Sequence, residues 1–117
     1  MIKNIFEAIP TPANCHDGIG EIKIANIFDS FHTNMQFFHY TVLPPNTSIG
    51  THKHGDDEEF YIILEGEGEM EIDGALYVIK TGDIIKNKPF GSHSLKNTSS
   101  NELRILVFEV KKSVFGG

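Results

Sequence analysis

Residues 50–60 read GTHKHGDDEEF, which places His52 and His54 one residue apart and follows them with four acidic residues. On a β-strand, side chains at positions i and i+2 point to the same face, with their Cα atoms about 7 Å apart. Two imidazoles at that spacing can share one metal ion. Glu59 follows a short polar turn, from which it can add a carboxylate oxygen. The stretch therefore indicates a ligand-binding site within a β-rich fold.

The rest of the chain has the pattern of short strands separated by turns. We predict strands within the segments 21–28, 35–45, 59–73, 75–80, 84–97 and 102–110. Gly66 and Gly68 are predicted to break the third segment, and the Asp73-Gly74 pair predicts a two-residue hairpin. Helical turns are expected only in residues 2–9 and 26–32. Many short strands of this kind predict an all-β sandwich or barrel.

Strand alternation assigns the inward-facing side chains. If the two histidines of residues 50–60 point inward, then Glu59, Tyr61 and Ile63 share that interior face. A later strand groups a second set in the same way: His93, Leu95 and Asn97. Periodicity alone does not show that the two groups meet. The fourth ligand therefore stays open among the remaining histidines, which are His16, His32, His39 and His93. Of these, His16 and His32 lie in polar, loop-like segments and are expected at the surface.

Composition limits the class of protein. The 117 residues suit one domain, 1–117, with 39% hydrophobic and 22% charged residues, as in an ordinary globular protein. The net charge of -6 argues against nucleic acid as a partner, because phosphate binding needs a basic face. A single cysteine, Cys15, excludes an internal disulfide. No segment approaches the roughly 20 apolar residues of a membrane span, so we predict a cytoplasmic protein without a membrane partner.

With these motifs in view, the chain resembles a small single-domain cupin. The first cupin motif is a glycine, five residues, His-x-His, three or four residues, a glutamate, six residues and a glycine. Residues 46–66 read NTSIGTHKHGDDEEFYIILEG, and the matching positions are His52, His54, Glu59 and Gly66. Asn46 replaces the opening glycine and also tolerates a left-handed backbone. Only Glu59, and not Glu58, keeps six residues before Gly66.

The second motif lies in residues 82–97, GDIIKNKPFGSHSLKN. Gly82, His93 and Asn97 match the family spacing, and we expect Asn97 to tie backbone segments together. The Pro-x-Gly unit, Pro89 to Gly91, is shifted one residue toward His93. The preserved count from Gly82 to His93 argues that this shift is absorbed inside the turn.

The resemblance covers about residues 36–110 and implies a jelly-roll barrel, the double-stranded β-helix of cupins. Carried over by position, it implies that one divalent metal ion, such as Mn, Fe, Ni or Zn, is bound by His52, His54, Glu59 and His93. His39 is not expected to be a ligand. Small cupins are commonly homodimers, and the apolar segments 21–28 and 102–110 are the candidates for packing across a two-fold axis.

The function implied by the resemblance is a metal-dependent enzyme that acts on a small oxygen-rich molecule, such as a sugar, a sugar acid or an organic acid. Isomerase, lyase, decarboxylase and dioxygenase chemistry are all compatible with it. Tyr61 and His39 are candidate proton donors if they face the cavity. Two alternatives stay open: a binding or sensing module whose metal anchors a ligand, and a structural metal that only stabilises the barrel.

Overall fold

A computed structural model of the protein describes residues 1–112, which contain ten β-strands. In chain order these are β1 (Thr11–Ala13), β2 (Ile22–Asn26), β3 (Met35–Leu43), β4 (Ser48–Lys53), β5 (Asp57–Glu65), β6 (Glu67–Ile72), β7 (Ala75–Lys80), β8 (Ile84–Asn87), β9 (Ser92–Lys96) and β10 (Leu103–Lys111). They form a six-stranded sheet in the order β1-β2-β3-β10-β5-β8 and a four-stranded sheet in the order β4-β9-β6-β7. From β3 onward the chain passes repeatedly between the two sheets. This arrangement confirms the predicted jelly-roll.

One of the two predicted helical segments forms a turn. Residues 5–7 make a single 3₁₀ turn, in which the Asn4 side chain accepts a hydrogen bond from the backbone N–H of Phe6 at 2.9 Å. The prediction for residues 26–32 is wrong, because Asn26 ends β2 and the N–H of Ile27 donates across to Phe38 instead of along a helix. Within residues 1–112 we find no helix with the length and hydropathy needed to cross a membrane.

Turn residues behave largely as the sequence indicates. Asp73 and Gly74 have φ of 49° and 85° and connect β6 to β7 as a two-residue hairpin. Gly66, with φ of 106°, separates β5 from β6. Gly68, in contrast, lies inside β6 and does not break it. A Cβ on Gly68 would lie 2.5 Å from the carbonyl oxygen of Lys96, so glycine is needed there for the close approach of β9.

The core lies between the two sheets and follows the predicted alternation. Along β5, Glu59, Tyr61 and Ile63 are buried, and along β9 and the residue after it the buried positions are His93, Leu95 and Asn97. Apolar side chains from both sheets complete the core: Ile22, Leu43, Ile49, Met70, Leu103, Ile105 and Val107. The predicted interior faces are therefore confirmed, and the two groups face one another across the core.

Asn97 links three segments of backbone, as expected. Its amide nitrogen donates to the carbonyl oxygens of Leu43, at 2.9 Å, and Asn101, at 2.7 Å. Its amide oxygen accepts from the backbone and hydroxyl of Ser99, both at 2.9 Å. Asn46, which replaces the first glycine of the motif, has φ of 62° and so takes the left-handed conformation that the turn needs.

The loop between β1 and β2 packs directly on β4. The N–H of Gly50 donates to the carbonyl oxygen of Cys15 at 3.0 Å. A Cβ on Gly50 would lie 1.9 Å from the carbonyl oxygen of His16, and one on Gly18 would lie 2.0 Å from that of Ser48. Two glycines therefore permit a backbone contact that carries Cys15 and His16 to the edge of the core.

Candidate metal centre

The pairing of β4 with β9 brings the two histidine motifs together. His52 lies directly opposite His93 in this antiparallel pair, after a register shift between Ile49 and His52. The residue after β4 and the turn before β9 are also joined, because the N–H of His54 donates to the carbonyl oxygen of Gly91 at 2.9 Å. The predicted proximity of the two histidine-bearing strands is confirmed.

Three imidazoles surround one carboxylate oxygen. The Nε2 atoms of the histidines lie near Oε1 of Glu59, at 3.7 Å for His52, 3.5 Å for His54 and 2.9 Å for His93. One donor atom from each of these residues lies within 4.8 Å of the other three. We refer to His52, His54, Glu59 and His93 as the His₃Glu cluster. All but the half-buried His52 are buried.

Hydrogen bonds orient two of the rings toward the glutamate. Nδ1 of His52 lies 3.2 Å from the carbonyl oxygen of Gly50, and Nδ1 of His54 lies 2.7 Å from Oδ2 of Asp57. If each Nδ1 carries the proton and donates it, each Nε2 keeps a lone pair directed at Glu59. This is the tautomer that a metal ligand needs, with a carboxylate or carbonyl partner on the opposite ring nitrogen.

A second carboxyl group supports Asp57. Oε1 of Glu109 lies 3.4 Å from the same nitrogen of His54. Burial and the adjacent Asp57 carboxylate raise the pKa of Glu109 well above its usual 4.5. Hydrogen bonding to Glu109, and next to His54, holds the pKa of Asp57 below its usual 3.8 despite partial burial. Asp57 is therefore ionised and can accept a hydrogen bond from His54. Glu109 stays protonated beside it.

The cluster fits a divalent transition metal. Nε2 of His54 and Oε1 of Glu59 are buried, and within residues 1–112 neither has a hydrogen-bond partner. Burial alone would raise the pKa of Glu59, but the imidazoles of His52 and His93 outweigh it and lower the pKa to about 2. An ionised oxygen and three imidazole nitrogens around one point form a donor set that Mn, Fe, Ni and Zn all accept.

Glu58 lies outside the cluster, as the motif spacing predicts. Its carboxylate is partly exposed and lies 3.4 Å from Nζ of Lys86. Glu59, one residue on, is 5% exposed and faces the core. Strand alternation alone separates the two glutamates, so a register error of one residue would exchange them.

A cavity of about 200 Å³ opens beside His52 and Glu59. Its apolar lining comes from Ile22, Ile24, Phe37, Ile49 and Val107. Its polar lining comes from Cys15, His16, His39, Thr41 and Tyr61, together with the two cluster residues. Among residues 1–112, neither lysine nor arginine lines it. The cluster therefore adjoins a partly open cavity whose surface is mostly apolar, with polar side chains at a few points.

Both candidate proton donors face this cavity. Tyr61 is 1% exposed, and its hydroxyl lies 3.3 Å from Nε2 of His93. Burial, followed by the charge of Glu59, raises the pKa of Tyr61 well above 10.0. His39 packs on Phe37 with ring centroids 4.4 Å apart, and burial lowers its pKa below 6.5. His39 lies outside the His₃Glu cluster, as predicted.

Sequence reasoning missed His16, as it missed Asp57 and Glu109 beside His54. His16 is exposed overall, as expected, but its ring stacks on His52 with centroids 3.7 Å apart and forms part of the cavity wall. Cys15 is half-buried in the same wall, and burial followed by the charge of Glu59 raises its pKa, so the thiol stays protonated. The other loop histidine, His32, is exposed.

Phe90 lies outside both the core and this cavity. It is 66% exposed and has φ of 61°. It borders a larger, open groove of about 640 Å³ on the outer surface, beside Pro89 and Lys111. None of the four cluster residues lines that groove. The smaller cavity is therefore the one that adjoins the cluster.

The jelly-roll fold and the His₃Glu cluster are those of a cupin. The Cupin_2 family model, described as a cupin domain, matches residues 39–109, and the chain belongs to this family. An oxalate-binding protein of Thermotoga maritima is 35% identical over 96 residues, which cover 80% of this chain and 79% of that protein. A crystal structure from Thermotoga maritima, described as a predicted oxalate decarboxylase, superposes with a TM-score of 0.91 at 32% identity, covering 95% of this chain and 99% of that one.

A third relative is a 5-nitrosalicylic acid 1,2-dioxygenase of a Bradyrhizobium species. It is 28% identical over 90 residues, which cover 77% of this chain. The match spans only 41% of that enzyme, so this chain corresponds to less than half of it.

The contact between Glu59 and His52 makes a prediction for the metal-free protein. Burial alone would lower the pKa of His52, but the neighbouring Glu59 carboxylate and the hydrogen bond to Gly50 raise it above 6.5. The stability that this ring contributes is therefore present below pH 6.5 and is lost as the pH rises through the folded-state pKa. We expect Glu59→Gln to lower the pKa of His52, as measured by NMR titration of the imidazole protons.

Glu58→Gln is the matched control for this titration, because Glu58 contacts Lys86 outside the cluster. It should leave the His52 titration unchanged. Equal shifts in the two variants would show that the register of β5 is wrong.

Proposed function

We propose that the protein is a metal-dependent enzyme that binds a small organic acid at the His₃Glu cluster. The observation that carries this proposal is the position of the cluster at the wall of a cavity that opens to the surface and has a mostly apolar inner surface. A site that only stabilised the barrel would have no need of an adjoining cavity. Four protein donors also leave positions free on a six-coordinate ion, and free positions are needed for substrate binding.

The proposed ligands are the residues of the cluster: His52, His54, Glu59 and His93. A divalent ion such as Mn, Fe, Ni or Zn held there would polarise a carboxylate or carbonyl oxygen of the acid. The chain supplies the orientation of that ion through Gly50 and Asp57, which hold two of the rings by Nδ1. His93 is ready to bind in its neutral form, because burial lowers its pKa below 6.5.

The cavity lining favours an organic acid over a sugar. Its apolar residues offer little for a row of hydroxyl groups, each of which loses water on entering the cavity and needs a new hydrogen bond. A charge away from the metal would also find neither lysine nor arginine among the lining residues that the structure describes. The best match is an acid whose oxygen atoms all lie at the metal and whose carbon skeleton fills the cavity.

Tyr61 is the proposed proton donor and His39 a second polar contact. Because burial keeps the Tyr61 phenol protonated, it can deliver a proton to substrate held between the metal and the cavity. His39 is neutral near pH 7 and can accept a hydrogen bond from the acid. A held proton suits decarboxylation, a lyase reaction in which the C–C bond to a carboxyl group breaks, CO₂ leaves and the remaining carbon gains the proton. The likeness to a predicted oxalate decarboxylase supports this choice.

A binding protein without turnover is the second candidate. The observation that favours it is the 35% identity to an oxalate-binding protein over 80% of this chain. The same metal and cavity would then hold the acid without converting it.

The metal proposal predicts different outcomes for two histidines of the core. We expect His93→Ala to lower metal occupancy by at least about tenfold, because it removes a direct ligand. His39→Ala should leave occupancy unchanged, since His39 borders the cavity without joining the cluster. Elemental analysis of folded, purified variants measures both. Loss of metal in His39→Ala, or retention in His93→Ala, would contradict the proposed ligand set.

The substrate proposal predicts a preference that binding can measure. With Mn²⁺ bound, we expect a 2-oxo acid with an alkyl chain to bind at least about tenfold more tightly than a polyhydroxy acid of similar size, because only the first suits an apolar wall. Titration calorimetry gives both affinities. If the two acids bind equally, the preference for an apolar skeleton is wrong.

Turnover of the acid that binds most tightly separates the enzyme from the binding protein. Tyr61→Phe should keep the affinity for metal and acid but reduce the rate of turnover by about 100-fold. Tight binding without turnover in the parent protein would favour the second candidate.

We also propose a homodimer that packs through the outer face of the six-stranded sheet. Phe38, Phe108 and Phe60 form a stacked row there, with ring centroids 5.5 Å and 4.9 Å apart, and all three are only half-buried. The two segments expected at the interface, 21–28 and 102–110, form β2 and β10 inside this sheet. The edges of both strands are paired within the sheet, and Ala25 on the outer face of β2 is buried in a cluster that Ile5 and Ala8 cover. The proposed contact therefore uses the outer face of β10, which carries Phe108.

Sedimentation equilibrium should give twice the chain mass of 13.1 kDa for the parent protein. Phe108→Glu places a charge in the middle of the aromatic row and should give the monomer mass. Val78→Glu is the control, because Val78 is 77% exposed on an edge strand of the other sheet. A monomeric parent protein, or a monomer produced equally by both changes, would contradict the proposed interface.

A further inference from the structure

Asn87, at the end of β8, is a buried amide without a protein partner. It is 2% exposed, and neither its nitrogen nor its oxygen forms a hydrogen bond with any group of residues 1–112. An amide buried in this way costs folding free energy unless water or a ligand supplies the hydrogen bonds that the protein does not. The motif positions of the sequence do not include Asn87, and no role assigned above involves it.

Its position in the sheet places Asn87 beside the His₃Glu cluster. In the antiparallel pair of β5 and β8, Asn87 lies directly opposite Glu59, and both side chains are buried. Side chains that oppose each other in this way have Cβ atoms about 5 Å apart. On the other side of Glu59, β10 places Glu109 directly opposite it. Glu59 is thus flanked by the carboxyl group of Glu109, which contacts His54, and by the amide of Asn87, which forms no hydrogen bond within the described chain.

A recess of about 240 Å³ adjoins the amide. Asn87 and Ser92 line it together with the cluster residue His93. It shares no lining residue with the apolar cavity, which is bordered by His52 and Glu59. The cluster is therefore flanked by the cavity and by this recess, which Asp73, Lys86 and Lys88 also line, and the unpartnered amide belongs to the recess.

We infer that Asn87 is a ligand-contacting residue that hydrogen-bonds an oxygen atom bound at the His₃Glu cluster, an inference that rests on the metal site proposed above. An amide suits this task because it can donate to an oxygen or accept from a hydroxyl without adding charge beside Glu59. The oxygen can come from water that accompanies the metal or from the bound acid. In either case the amide gains this hydrogen bond only when the metal is bound at the cluster.

Asn97 provides a matched comparison within the same protein. It is 0% exposed, and its amide makes hydrogen bonds through both its nitrogen and its oxygen. Replacing a satisfied amide by leucine leaves its former partners unpaired, whereas replacing an unpartnered amide removes a polar group that the fold had to bury. The two asparagines should therefore respond in opposite ways to the same change.

The experiment compares Asn87→Leu and Asn97→Leu in metal-free protein and then in the presence of Mn²⁺ and an acid. In the metal-free state we expect the unfolding midpoint of Asn87→Leu to stay level or rise by about 3 °C, and that of Asn97→Leu to fall by at least about 5 °C. Differential scanning calorimetry measures both. A clear fall for Asn87→Leu, or its failure to fold, would show that the amide has a structural role and would overturn the inference.

The binding measurements identify the source of the oxygen. If Asn87→Leu weakens Mn²⁺ binding by about tenfold without added acid, the amide contacts water at the site. If Mn²⁺ binds as in the parent protein and only the affinity for oxalate or a 2-oxo acid falls by about tenfold, it contacts the acid. Unchanged affinity for both would overturn the inference. Absence of Mn²⁺ binding in the parent protein would instead contradict the proposed function, so the two failures are distinguishable.

Discussion

The burial of the Glu59 carboxylate among three imidazoles is the constraint on which the rest of the site depends. Glu59 lies on β5 of the six-stranded sheet. His52 and His93 lie on β4 and β9 of the four-stranded sheet, and His54 directly follows β4. The cluster therefore joins the two sheets across the core. An ionised carboxylate in this position is costly to remove from water unless cationic or hydrogen-bonding groups surround it. The pairing of His52 opposite His93 brings two imidazoles to this carboxylate, so correct sheet packing and correct donor geometry form together.

Much of this arrangement was predictable because strand parity and motif spacing are local properties. The inward faces of β5 and β9 follow from alternation alone, and so does the choice of Glu59 over Glu58. The shifted Pro-x-Gly unit did not disturb His93. Phe90 takes φ of 61°, and the N–H of Gly91 donates to the carbonyl oxygen of Lys88 at 3.2 Å, so the turn absorbs the shift before β9 begins.

The residues that were missed depend on tertiary contacts that carry no local pattern. His16 reaches the cavity only because Gly18 and Gly50 allow two backbones to touch, and neither glycine predicts by itself which loop lies beside it. Asn87 is one polar residue at the end of a short strand, and the sequence alone indicates only the start of a turn at this position. Its significance appears only when β8 is paired with β5 and the amide is found opposite Glu59.

The buried side-chain nitrogen and oxygen atoms that lack a hydrogen-bond partner within residues 1–112 all lie in or beside the His₃Glu cluster. Within residues 1–112 they are Nε2 of His54, Oε1 of Glu59 and both amide atoms of Asn87. Buried amides elsewhere, such as that of Asn97, are paired. If these atoms reflected poor packing, they would be scattered through the core and not gathered around the cluster. Their concentration means that the metal-free fold carries its electrostatic cost where a ligand can remove it.

A ligand at 100 times its Kd stabilises the folded state by about 2.7 kcal/mol, which is of the same order as the cost of one or two unpaired buried groups. Stability of the fold and occupancy of the site are thus coupled through the same few atoms.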